Sequence, residues 1–122
     1  MPDINQIRIT NYLIILILFI IGCADNVAYT NKEMEKQKEE LIRKAQASLE
    51  NKDYLLTRDY LKQYTEITSH TAETLWIGVQ AEYSLGNQHA VSAYVQQLRE
   101  QFPDTEEYQA YLALLRQTGY GH

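Results

Sequence analysis

The sequence predicts an all-α fold of stacked helical hairpins, and its helical periodicity and its match to itself predict it. From Lys32 onward apolar residues recur at spacings of three and four, no stretch alternates as a strand would, and no proline appears before Pro103. The chain also matches itself without a gap at an offset of 34 residues: Leu41 with Leu75, Ile42 with Trp76, Leu49 with Tyr83, Asp53 with Asn87, Tyr60 with Tyr94, Leu61 with Val95 and Tyr64 with Leu98. A single helical hairpin leaves an apolar face open, so repeated hairpins bury it by stacking.

Each element follows from local chemistry. Thr30 with Glu33 is a capping-box pattern that predicts the first helix start. That helix is expected to bury Met34, Leu41, Ile42, Ala45 and Leu49 before Asn51-Lys52-Asp53 turns the chain. A second helix turns Tyr54, Thr57, Tyr60, Leu61 and Tyr64 inward. After the polar stretch from Thr65 to Thr71, a third offers Leu75, Trp76, Val79 and Tyr83 and ends at Gly86-Asn87, where Gly86 suits a left-handed position. The fourth carries Val91, Tyr94, Val95, Leu98 and Phe102 and stops at Pro103-Asp104. Asp104 with Glu107 starts a fifth, whose Tyr108, Tyr111, Leu112 and Leu115 share a side and cap the last open hairpin. The ten tyrosines suit helix-pair cores, with the hydroxyl reaching water at the edge; Tyr54, Tyr60 and Tyr94 are expected there.

The amino terminus has a different character. Tyr12 to Ile21 is an uninterrupted apolar run of ten residues. A bilayer span needs about twenty, so the run behind Arg8 fits the apolar region of a secretory signal peptide. It ends at Ile20-Ile21-Gly22-Cys23, which resembles the bacterial lipobox. The resemblance implies cleavage between Gly22 and Cys23 and acylation of the Cys23 thiol, with a membrane anchor made of lipid. Ala24 stands where an Asp commonly marks inner-membrane retention, so the implied location is the periplasmic face of the outer membrane of a Gram-negative bacterium. The expected organisation is a signal peptide over 1–22, a lipidated tether over 23–31 and a helical domain over 32–122.

Composition narrows the function. A net charge of −5, from 11 basic and 16 acidic residues, lacks the positive field that nucleic acid requires. One cysteine closes no internal disulfide, and with three scattered histidines it makes no structural zinc site. No glycine-rich phosphate loop, Gly-x-Ser-x-Gly or His-Glu-x-x-His is present. His70, His89 and His122 read as surface residues. Neither an enzyme nor a cofactor or metal protein is expected; the expected partner is a protein.

Thirty-four residues is the tetratricopeptide period, and the matched pairs fall where that repeat places its large helix-A residues, its turn and its helix-B core positions. The resemblance implies a partner groove along the A helices. Its register selects Glu39, Ile42, Gln46, Leu49 and Glu50, then Glu73, Trp76, Gln80 and Tyr83, with Glu107, Ala110 and Leu114 from the cap. Glu39, Glu73 and Glu107 are each 34 residues apart, so stacked units would align three carboxylates beside Trp76 and Tyr83. Such a column favours an amphipathic partner segment with Lys or Arg flanking its apolar stripe. The local alternative is that Glu73 and Glu107 stand near helix starts, where the helix dipole favours a carboxylate.

Leu75-Trp-Ile-Gly78, Ala93-Tyr94, Gln97-Leu98, Phe102-Pro103-Asp104 and Glu107-Tyr108-Gln109 together resemble the C-terminal end of the PilF/PilW type IV pilus biogenesis lipoproteins, the pilotins. These are tetratricopeptide lipoproteins, and the resemblance implies escort of a secretin subunit to the outer membrane. The match covers the end of that family's repeat array. A scaffold lipoprotein of another envelope assembly machine is the alternative.

Overall fold

The computed structural model describes residues 28–119, whose regular secondary structure is helical throughout. Contacts divide the chain into Met1–Gln37 and Lys38–His122. In the first unit, residues 28–37 are helical and exposed. Two expectations change here. The chain is already helical at residue 28, so Thr30 lies inside a helix instead of capping one, and residues 28–31 of the expected tether are helical. Met34 is exposed, because Thr30, Asn31, Gln37 and Lys38, its neighbours at three and four, supply no apolar stripe to bury it. The run Tyr12–Ile21, Cys23 and the rest of the tether lie outside the described residues.

The second unit is built from the end of helix α1 (28–50) and from α2 (Tyr54–Ile67), α3 (Ala72–Ser84), α4 (Gln88–Gln101) and α5 (Glu106–Thr118). Helix α3 is central, packing against α2, α4 and α5, while α4 also meets α5. It is buried on more than one side, with Leu75, Ile77, Val79 and Ala81 all at 1% exposure or less. Leu75, Ile77 and Val79, fully buried, contribute about 1.5–3 kcal/mol each.

The 34-residue offset is physical as well as textual. Every buried residue between Leu41 and Tyr64 has a buried counterpart 34 places on: Leu41 and Leu75, Ala45 and Val79, Ser48 and Glu82, Thr57 and Val91, Leu61 and Val95, Tyr64 and Leu98. The cores repeat too. One gathers Ala45, Leu61 and Ile77, with Ile42 and Tyr60 packed against it. The other gathers Val79 and Val95 with Val91, and Trp76, Tyr94 and Tyr111 pack against it. Tyr111 of α5 thus takes the place that Ile77 of α3 holds one unit earlier.

The turns repeat with the same offset. After α1, the Lys52 amide donates to the Leu49 carbonyl at 3.0 Å and the Asp53 amide to Ser48 at 2.9 Å. After α3, Gly86 donates to Tyr83 at 3.1 Å and Asn87 to Glu82 at 2.9 Å. Both are Schellman closures, which need a left-handed residue after the helix; Lys52 has φ +61° and Gly86 φ +74°. The next residue then caps the following helix: Asp53 Oδ1 accepts from the Leu56 amide and Asn87 Oδ1 from the Ala90 amide.

Other expectations shift. Helix α2 runs on to Ile67, so only its last part of the Thr65–Thr71 stretch is a connection, closed by Thr71, which caps α3 reciprocally with Thr74. Helix α5 starts after Thr105, not at Asp104, because the Thr105 hydroxyl accepts from the Tyr108 amide. No residue of α5 is fully buried, as befits a covering helix with one side in water. Tyr83, expected at an apolar position of α3 and in the groove register, is 38% exposed.

Candidate functional site

The predicted groove residues lie on α1, α3 and α5, in two environments. Ile42 and Leu49 are half-buried against the first core, and Trp76 is half-buried against the second. The polar members surround them. Gln46 is exposed and its Nε2 donates to Glu50 Oε1 at 3.1 Å, while Gln80 Nε2 donates to the Trp76 carbonyl at 3.3 Å. Both amides are therefore held along their own helices.

The three glutamates differ. Glu73 and Glu107 occupy the first turns of α3 and α5, where a carboxylate is stabilised by the unsatisfied amides of the helix end. Glu39 stands in mid-helix, exposed, without that local reason. Glu73 is exposed and Glu107 half-buried. Tyr83 turns up elsewhere, in the wall of a cleft between α3, α4 and α5.

That cleft has a volume of about 400 Å³. Val91 and Val95 of α4 and Tyr111, Leu114 and Leu115 of α5 line its apolar part, and among the described residues Arg99 is the only charged one lining it. Burial raises the Tyr111 phenol pKa above its ordinary range. Of the residues lining the cleft, Tyr83 and Leu114 belong to the groove register. The signal was available: Ser92, Gln96 and Arg99 of the cleft are Arg58, Lys62 and Thr65 shifted by 34, and those three line the open cleft between α2 and α4.

A second feature escaped sequence reading. His70, expected at the surface, is half-buried between two tyrosines: its ring stacks with Tyr64 at 6.4 Å and meets Tyr94 edge-on at 5.4 Å. Its Nδ1 lies 3.0 Å from Thr74 Oγ1. Desolvation lowers the imidazole pKa. His89 is exposed, and His122 lies outside the described residues. Of the tyrosines expected at helix-pair cores, Tyr60 and Tyr94 pack against them, and Tyr54 is half-buried.

Among the described residues, no group of three His, Cys, Asp or Glu side chains converges to hold a metal ion, and no helix is long and apolar enough to cross a membrane. No family model, curated protein or solved structure compared with this chain matches it.

Proposed function

We propose that this protein is a lipid-anchored adaptor of the outer membrane, whose tetratricopeptide-type hairpins hold a protein partner in the manner of a pilotin escorting a secretin. The carrying observation is the 34-residue recurrence of buried positions, turns and caps, which is the internal symmetry that such repeats require. The lipobox-like Ile20-Ile21-Gly22-Cys23 supports the anchor, and the Leu75 to Gln109 resemblance supports the class of partner.

On this reading the partner lies along the A helices. Ile42, Leu49 and Trp76 offer it apolar surface, Gln46 and Gln80 offer amides, and Glu39, Glu73 and Glu107 offer negative charge. A segment that fits is amphipathic, with Lys or Arg beside its apolar stripe.

The test is affinity isolation of the tagged full chain from outer membranes, alongside secretin multimers in a deletion strain. The expected result is secretin in the eluate, reduced by the Glu39→Lys/Glu73→Lys pair in a salt-dependent way, and fewer multimers in the deletion strain. A secretin-free eluate with normal multimers rejects the pilotin role. A subunit of a different envelope machine in the eluate then favours the scaffold reading.

A further inference from the structure

The same 34-residue shift that relates the two hairpins also says what the cleft at the carboxyl end is shaped for. Helix α4 packs on α3, and across an open cleft Arg58, Lys62 and Thr65 of α2 face Ala90, Ala93 and Tyr94 of α4. Moving the α2 residues forward by 34 gives Ser92, Gln96 and Arg99, which line the cleft between α4 and α5. One unit earlier α4 forms the far wall of the corresponding cleft, so the cleft between α4 and α5 is open on the side where an α4-like helix, packed on α5 as α4 packs on α3, would stand. Its floor fits that role, because Val91, Val95, Tyr111, Leu114 and Leu115 present apolar surface along two neighbouring helices.

Charge says which kind of helix. From Thr65 to His122 the chain has seven acidic residues and two basic ones, Arg99 and Arg116. Arg99 is the cleft's only charged lining residue among the described residues, and Arg116 directly follows Leu115 on α5. Neither forms an ion pair among the described residues. One unit earlier the arrangement closes on itself, since Arg58 pairs with Glu82 of α3. Shifted by 34, that pair becomes Ser92 and Arg116, which leaves positive charge with no acidic counterpart.

We infer that the α3–α4–α5 cleft is a second docking site, which receives an amphipathic helix of another protein with carboxylates flanking its apolar stripe. This goes beyond the adaptor reading and is independent of it: the A-helix face selects a basic segment, and the cleft selects an acidic one. An adaptor with both surfaces joins two clients of opposite charge.

The experiment uses the full chain in detergent and two synthetic amphipathic helices as probes. Both carry leucines on one face; one flanks them with glutamates, its twin with lysines. Fluorescence anisotropy is expected to show tighter binding of the glutamate helix, and Arg99→Glu to weaken that binding on the order of tenfold, the effect of turning one close attraction into repulsion. Leu114→Asp, checked for native circular dichroism, weakens it as well. Amide NMR shifts on adding the glutamate helix fall at Val91, Val95 and Leu115. Equal affinity for the two helices, an Arg99→Glu variant that binds the glutamate helix as well as the parent does, or shifts confined to α1 overturns the proposal. So does a dimer, seen by sedimentation, that buries the cleft and is not displaced by the probe; its occupant is then a second copy of this chain.

Discussion

Arg58 and Glu82 meet in a two-pronged ion pair that ties α2 to α3, with Nε 2.6 Å from Oε1 and Nη2 2.7 Å from Oε2. The Glu82 side chain is 5% exposed and that of Arg58 41%. The hydrogen bonds from Arg58 hold the Glu82 carboxyl below its ordinary pKa, against the opposing effect of burial. The pair is thus asymmetric: the acid depends on the base far more than the reverse. Arg58→Ala is expected to cost about 1–3 kcal/mol by leaving a buried carboxylate short of partners. Urea unfolding of Arg58→Ala and of an Arg58→Ala/Glu82→Leu double variant checks this. The double variant should recover much of the loss.

His70 gives the fold an acid sensitivity. Its pKa lies below the ordinary imidazole value of about 6.5 because burial disfavours the cation. The unfolded chain therefore takes the proton first, and stability present above about pH 6.5 falls as the pH drops toward the folded value. Glu82 acts with the same sign at lower pH: its contribution is full above the ordinary carboxyl pKa and is lost as the pH falls through the depressed one. Thermal melts from pH 7.5 to 5 are expected to show a decline that His70→Phe flattens.

Gly78 is required by a ring. A Cβ there would stand 2.8 Å from Tyr94 Cζ and 2.9 Å from both Cε atoms, and His70 packs edge-on against the same ring. Gly78→Ala is expected to destabilise by about 1–3 kcal/mol through overpacking, even though alanine is the better helix former. In a Tyr94→Leu background the same change should lose most of its cost. Denaturant midpoints of the four proteins test the coupling.

Lys52 and Gly86 occupy equivalent left-handed positions with unequal ease. Lys52→Gly is expected to stabilise by about 1 kcal/mol and Gly86→Ala to destabilise by a similar amount. Nothing lies within 4 Å of a Cβ at Gly86, so its cost is conformational alone. Calorimetry of the two variants should show shifts of opposite sign.

Periodicity made the helices, the places of the turns after α1 and α3, the left-handed position of Gly86 and much of the core legible, because 3.6-residue spacing and turn chemistry are local. Leu41, Ala45, Leu61, Leu75, Val79 and Leu98 are buried as their spacing implied or as the 34-residue match paired them. What escaped needed tertiary knowledge. Glu82 reads as a surface acid until α2 brings Arg58 to it, and His70 reads as a loop residue until Tyr64 and Tyr94 enclose it. Tyr83 sits at an apolar position of α3, but α5 supplies no residue that covers it fully. Ile42, Trp76 and Gln46 were locatable on their helices from the repeat register; what those helices hold is not encoded in spacing.

The adaptor account is tested most directly by photo-crosslinking in cells, with a benzophenone amino acid in place of Gln46 on α1. A discrete adduct in the outer-membrane fraction, identified as secretin by mass spectrometry and lost on Glu39→Lys/Glu73→Lys, is the predicted result. A chain that forms no adduct at this position, or one whose adduct is indifferent to both charge reversals, contradicts it.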